Sequence, residues 1–284
     1  PELSTTLLGD SRDRLIALDL TDAEATTAAL DAEQPDLVVH LAAQSHVPTA
    51  YRDPWNTLRN NVLGQLNLLE ACIALGLRPR VLVIGSGEEY GRASANAMPL
   101  TEDHPLRPEN PYSVSKVTQD AMGYQYFISF GLPVIRVRPF NHIGPGQSDR
   151  FVLPAFASQV AQIEAHKRPP VIDVGNLTPA RDFTDVRDVV EAYRLALLHG
   201  TPGEVYNVAS GRAVAIQSLL DHLIACTELE IELRVDPARY RPADIPVIYG
   251  SAGRLQRDTG WLPRITLKRT IEDVLNEWRA RVGL

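Results

Sequence analysis

At 284 residues, with 44% hydrophobic and 22% charged side chains, the chain is long enough for a full hydrophobic core, as one large domain or two fused lobes. A net charge of −7 argues against nucleic acid as the main partner; no apolar run approaches the roughly 20 residues a membrane span needs, and no signal-peptide pattern is present. Cys72 and Cys226 are isolated and the seven histidines are scattered, so the expectation is a cytoplasmic protein with reduced cysteines and no metal.

In chain order, Leu15-Ile16-Ala17-Leu18, Leu37-Val38-Val39-His40-Leu41, Val81-Leu82-Val83-Ile84 and Val134-Ile135-Arg136-Val137 read as strands. The first three lack strict alternation, as strands buried on both faces of a parallel sheet do. Helical stretches lie between them at about 22–33, 55–76 and 112–130. Asp22 and Asp53 suit N-caps, Pro54 the first turn, and Gly76 and Gly131 the stops. This repetition implies an α/β fold with a doubly wound parallel sheet of Rossmann type.

From about residue 140 the pattern changes, and six prolines from Pro139 to Pro179 punctuate shorter elements. A helix at about 185–199 and a strand at 204–208 follow, then a helix at about 216–227, a strand at 231–235, a Pro-rich loop at 236–247 and an amphipathic helix at about 267–282. The expected organisation is a Rossmann-like domain from 1–141 and 183–209 and a smaller α/β lobe from 142–182 and 210–284.

A dinucleotide-binding sheet opens with a strand, a glycine-rich turn and a helix. The run Gly85-Ser86-Gly87-Glu88-Glu89-Tyr90-Gly91 mimics that turn, but its spacing is wrong, a loop follows it, and its two glutamates would repel a pyrophosphate. Only Gly9 lies in the first 15 residues. The expectation is a chain that begins after its first strand and helix, on the order of 30 residues for such a unit. The alternative is a protein without this cofactor site.

Tyr112 and Lys116 carry the chemistry. Residues four apart on a helix face the same way, and a phenol beside an ammonium ionises more easily, so Tyr112 could pass a proton. The plain alternative is a solvated helix face. Ser86 ends a strand 26 residues earlier, at the carboxyl end where open α/β sheets bind ligands. Its plain alternative is a turn-stabilising serine.

Leu18-Asp19-Leu20, the run from Leu41 to Val47, Asn60-Asn61-Val62-Leu63-Gly64, Ile84-Gly85-Ser86 and the run from Asn110 to Lys116 together resemble the extended short-chain dehydrogenase/reductase family acting on nucleotide sugars. The likeness covers essentially the whole chain and is specific in combination. Within that family the chain is similar to the GDP-mannose branch. Residues 41–47 and 138–142 look like its 4,6-dehydratases, whereas 141–147, 174–177, 181–188 and 260–265 look closer to its 4-keto-sugar reductases.

The resemblance implies reduction of the C4 keto group of a GDP-4-keto-6-deoxyhexose by NADP- or NAD-linked hydride transfer, giving GDP-D-rhamnose or a close relative. The rivals are dehydration of GDP-mannose and a non-catalytic nucleotide-binding module. It implies Ser86, Tyr112 and Lys116 as catalytic, with Glu88 in the position of the dehydratase acid/base. Cofactor contacts would come from Asp19, Leu20, Leu41, Ala42, Ala43 and Asn61, besides Tyr112 and Lys116. Capping is the alternative for Asn61, as an N-terminal helix charge is for Asp19. Substrate contacts would come from Ser45, Ser86, Asn141, Asn176, Arg181, Arg241 and Asp244. The two arginines, Arg181 in a Pro-Ala-Arg-Asp-Phe loop and Arg241 in a second loop, suit diphosphate recognition. Asp244 stands where the family has Glu, one methylene shorter. The family also implies a homodimer through a four-helix contact of the helices at about 55–76 and 112–130.

Overall fold

The apolar runs assemble into a parallel sheet covered by helices on both faces, as a computed structural model describing residues 14–239 and 245–284 shows. The strands are β1 (Leu37–His40), β2 (Arg80–Ile84), β3 (Val134–Pro139), β4 (Asn141–Ile143), β5 (Val171–Val174), β6 (Ala180–Asp185), β7 (Val205–Val208), β8 (Ala213–Ala215), β9 (Glu232–Val235) and β10 (Val247–Ile248). The α-helices are α1 (Ala23–Glu33), α2 (Val47–Arg52), α3 (Pro54–Leu58), α4 (Gly64–Ala74), α5 (Pro111–Phe130), α6 (Val152–Glu164), α7 (Val186–His199), α8 (Ile216–Ile224), α9 (Gly253–Thr259) and α10 (Leu267–Val282).

The main sheet has the order β1-β2-β3-β7, all parallel. Strand side chains alternate between faces. Val81, Val83 and Val134 pack with Leu68, Leu69, Cys72 and Tyr126 on one side. Leu82, Ile135 and Val137 pack with Val189, Ala192, Ala196 and Trp261 on the other. The central strands β2 and β3 are buried on both faces and mostly apolar, with Arg136 and Arg138 among the exceptions, whereas Leu37 and Val39 of β1 are exposed; each buried large apolar side chain contributes roughly 1.5–3 kcal/mol. Helix α5 approaches the sheet closely at Gly123, where a Cβ would lie 3.2 Å from Val134 Cγ1.

A second sheet has the order β10-β6-β4, with β8 antiparallel to β6, and β5 pairs with β9. Its core is separate: Leu153, Phe156, Leu219, Leu223, Val274 and Leu275 bring α6, α8 and α10 together over β5 and β6. The helix caps follow the residues expected. Asp22 accepts from Ala25 N–H, Asp53 accepts from Asn56 N–H with Pro54 opening α3, and Gly131 ends α5 in the left-handed conformation. Among the described residues no helix is long and apolar enough to cross a membrane.

Four expectations are corrected. Leu15-Ile16-Ala17-Leu18 is not a strand, because a strand needs a neighbour for its backbone groups and none of the described residues pairs with it. Leu15 and Ile16 are about half exposed, at 49% and 45%. The helix expected over 55–76 is broken. Helix α3 ends at Leu58, one π-turn spans Arg59–Leu63, and α4 continues from Gly64. Arg181 lies inside β6 rather than in a loop, because β4, β8 and β10 supply partners distant in sequence. Beyond residue 140, α6 is also longer than the prolines implied, since Pro154 sits in its first turn, where a missing N–H costs no helical bond.

Candidate active site

The candidate groups converge at the carboxyl ends of the parallel strands. Ser86 follows β2 and caps a short 3₁₀ turn, Gly87–Tyr90. Its Oγ accepts from Glu88 N–H at 3.1 Å, while its own N–H donates to Glu89 Oε1 at 2.7 Å. This reciprocal box is written in the sequence as Ser-x-x-Glu. Gly87 has no room for a side chain, since a Cβ would lie 2.9 Å from the Phe140 ring.

Opposite stands the start of α5. Asn110 caps it, accepting from Ser113 N–H at 2.8 Å, and its Nδ2 donates to Glu88 Oε2 at 2.8 Å. Tyr112 and Lys116 occupy the first two turns. The Ser86 hydroxyl faces the Tyr112 phenol and favours its ionised form. Lys116 is 4% exposed, and its Nζ donates to Ile84 O at 2.8 Å.

Burial dominates the electrostatics of the site. Burial pushes the Tyr112 phenol above its usual range, Ser86 offsets part of this, and Glu88 and Glu89 add to it. The Lys116 Nζ lies over the ring, 5.9 Å from the centre, and is itself desolvated. Burial lowers Lys116 to about 8, against the opposing pull of Glu89. The free site therefore keeps Tyr112 protonated.

Beneath Ser86 lies a buried ion cluster that sequence reasoning missed. Arg138 Nε donates to Asp120 Oδ2 at 2.8 Å and lies 3.3 Å from Glu89 Oε2. Arg136 Nη1 donates to the other Asp120 oxygen at 2.5 Å. Glu89 is fully buried, and burial and Asp120 raise its pKa against Arg138. The capping-box spacing was the signal that could have singled out Glu89.

On the cofactor side, Asn61 is fully buried in the π-turn. Its Oδ1 accepts from Gln44 N–H at 2.7 Å, and its Nδ2 donates to Gln44 O at 3.1 Å and to Ser115 Oγ at 2.8 Å. Ser115 Oγ in turn donates to Tyr112 O at 2.6 Å. Asn61 thus clamps the loop after β1 onto the helix carrying Tyr112. In that loop Leu41, Ala42 and Ser45 are exposed and Ala43 is half-buried. Asp19 is exposed and accepts from Thr21 N–H and Oγ1, which lower its pKa. Leu20 O accepts from Asn67 Nδ2 at 2.8 Å, tying this segment to α4.

The substrate-side residues are less gathered. Asn141 is exposed at the start of β4, next to β6. Asn176 Oδ1 accepts from Thr178 N–H and Oγ1, a turn-forming role. Arg181 is buried, and its Nη1 donates to Ile245 O at 2.6 Å. Arg241 and Asp244 lie outside the described residues. Among the described residues no cluster of histidine, cysteine and carboxylate groups could hold a metal ion.

A parallel sheet with this Ser, Tyr and Lys at its carboxyl end is the frame of a nucleotide-sugar oxidoreductase. The family model for GDP-mannose 4,6 dehydratase matches residues 5–274, and the chain belongs to that family. It is 44% identical over 250 residues to GDP-6-deoxy-D-mannose reductase of Pseudomonas aeruginosa, covering 88% of this chain and 82% of that protein. It is 28% identical to GDP-mannose 4,6-dehydratase of Vibrio cholerae, covering 90% of this chain and 76% of that protein. The solved structure of RMD from Pseudomonas aeruginosa complexed with NADPH superposes with a TM-score of 0.89 at 41% identity, covering 94% of this chain and 88% of that one.

Proposed function

We propose that the protein reduces the C4 keto group of a GDP-linked 4-keto-6-deoxyhexose with NADPH or NADH, giving GDP-D-rhamnose or a close relative. The observation that carries this reading is the Ser86–Tyr112–Lys116 constellation at the strand ends, in a chain 44% identical to a GDP-6-deoxy-D-mannose reductase.

The residues fit the nicotinamide end of such a cofactor. One Lys116 N–H goes to Ile84 O, which leaves two for a ribose hydroxyl. When bound, the reduced nicotinamide supplies hydride to C4. Tyr112, kept protonated by burial, donates its proton to O4. The Ser86 hydroxyl hydrogen-bonds O4 and polarises the carbonyl. Asp19 and Leu20 meet the adenine side, Leu41 to Ala43 the ribose and pyrophosphate, and Asn61 holds that loop in place. Arg181 and Arg241 take the diphosphate, Asp244 the nucleoside ribose, and Ser45, Asn141 and Asn176 the sugar side.

In this reading residues 1–141 and 183–209 bind the cofactor, and 142–182 and 210–284 bind the GDP-sugar. The buried cluster under the second sheet is distinct from those of the main sheet, which supports two lobes, with Ala252, Leu255 and Trp261 from late in the chain packed on the main sheet. The protein works in the cytoplasm as a homodimer through the α3–α4 and α5 helices. Exposed Trp55, Val114, Tyr124 and Ile128 on α3 and α5 support that contact.

One observation favours GDP-mannose 4,6-dehydration as a second reading: Glu88 is kept beside Ser86 and tethered by Asn110. Cofactor stoichiometry separates the two. A reductase oxidises one reduced nicotinamide per 4-keto sugar converted. Catalytic dehydration of GDP-mannose without net cofactor consumption would overturn the first reading.

A further inference from the structure

We infer that Glu89 is a positioning residue for the reaction, acting through Ser86 and through the charge it places behind the Tyr112–Lys116 pair. This rests on the reading of Ser86, Tyr112 and Lys116 as the reductive site.

The geometry is specific to a carboxylate. Glu89 Oε1 accepts from Ser86 N–H at 2.7 Å and closes the capping box that aims the Ser86 hydroxyl. Oε2 lies 3.3 Å from Arg138 Nε, whose hydrogen bond goes to Asp120, and this oxygen is buried without a hydrogen bond of its own. A buried acceptor left in that state is costly, and such groups are retained where they serve a purpose. Two contacts on opposite sides need two oxygens, so an amide meets one at most and a leucine neither. The backbone allows little relaxation: a Cβ on Gly85 would lie 2.3 Å from Glu89 Oε1 and 3.0 Å from Val137 O.

The charged and titratable groups facing Glu89 are Arg138 of β3, Asp120, Tyr112 and Lys116 of α5, and Tyr90 of its own turn. An ionised Glu89 supports the Lys116 ammonium against burial and helps keep Tyr112 protonated. Its own pKa is raised by burial and by Asp120. Below that pKa it takes up a proton and the charged contact with Ser86 N–H is lost. Activity then falls on the acid side, above the ordinary carboxylate range.

The test is steady-state reduction of the GDP-4-keto-6-deoxyhexose by NADPH against pH in the full-length protein, for wild type, Glu89→Gln, Glu89→Asp and Tyr112→Phe, with melting curves for each. Expected for Glu89→Gln is a fall in kcat of about tenfold or more, KM for both substrates within about twofold, and loss of the acid-side limb. Expected for Glu89→Asp, which keeps the charge but shortens the reach, is a lower kcat with the limb retained. A wild-type kcat in Glu89→Gln, or an acid limb that persists there, overturns the inference. Should Glu89→Gln not fold, a wild-type kcat in Glu89→Asp overturns it. An active Tyr112→Phe instead overturns the reading of the site on which the inference rests.

Discussion

In the proposed reaction Tyr112 is the proton donor, and its surroundings favour the protonated form. Burial, Glu88 and Glu89 all raise its pKa, and only the Ser86 hydroxyl opposes them. That state suits a group that gives a proton to a reduced carbonyl. Tyr112→Phe is expected to cut turnover by about 10²-fold or more while GDP-sugar affinity, read by calorimetry, stays within about twofold of wild type; loss of binding would make the tyrosine structural. Lys116 supplies a second expectation. Its pKa is lowered from 10.5 to about 8 by burial, so the ammonium is present below that pH and lost above it. For the free enzyme kcat/KM should therefore decline as pH rises through about 8. An alkaline limb near the ordinary lysine value would show that burial does not govern the group.

At the scale of elements, the start of α5 and the turn after β2 are one unit. Asn110 caps α5 and holds Glu88, so it sets the distance between the two halves of the site. Asn110→Ala should cost about 1 kcal/mol of stability, read from a denaturant midpoint, and should lower kcat by more than that loss explains; an unchanged kcat would confine Asn110 to capping. The helices at 23–33, 111–130, 186–199 and 267–282 were legible because caps, proline and glycine punctuate strong helical runs. The short strands β4, β6, β8 and β10 were not, since their identity depends on partners far along the chain. The π-turn was also invisible, because Arg59–Leu63 carries no local pattern that separates it from ordinary helix. Ser86, Tyr112 and Lys116 could be placed by spacing on a strand end and a helix face. Glu89, Asp120 and Arg138 could not be linked, because the contacts joining them arise only on folding.

For the molecule as a whole, the parallel sheet with helices on both sides was readable from its unbroken apolar strands, as in Val81 to Ile84. The proposed dimer would rest on surface chemistry instead. Trp55 is 81% exposed and Ile128 is 61% exposed, on helices that pack side by side. Val114, Tyr124 and Ile128 share one face of α5 by their spacing. Burying such side chains between two copies would contribute roughly 1.5–3 kcal/mol each. On the proposed assembly, wild type should sediment as a dimer and Trp55→Glu with Ile128→Glu as a monomer by analytical ultracentrifugation, with folding retained. A dimer that survives both changes would locate the contact elsewhere.

The π-turn that carries Asn61 also makes the chain sensitive to length. An α-helix advances about 100° per residue. Deleting one residue within 59–63 would restore regular winding and leave helix content nearly unchanged. Because a π-turn fits one extra residue into about the same rotation, α4 would keep its faces, while the turn that carries Asn61 would narrow and draw it away from Gln44 and Ser115. An in-frame loss of a single codon would thus release the loop after β1 from the helix bearing Tyr112. Almost any single substitution on the exposed side of the same helix would leave that connection intact.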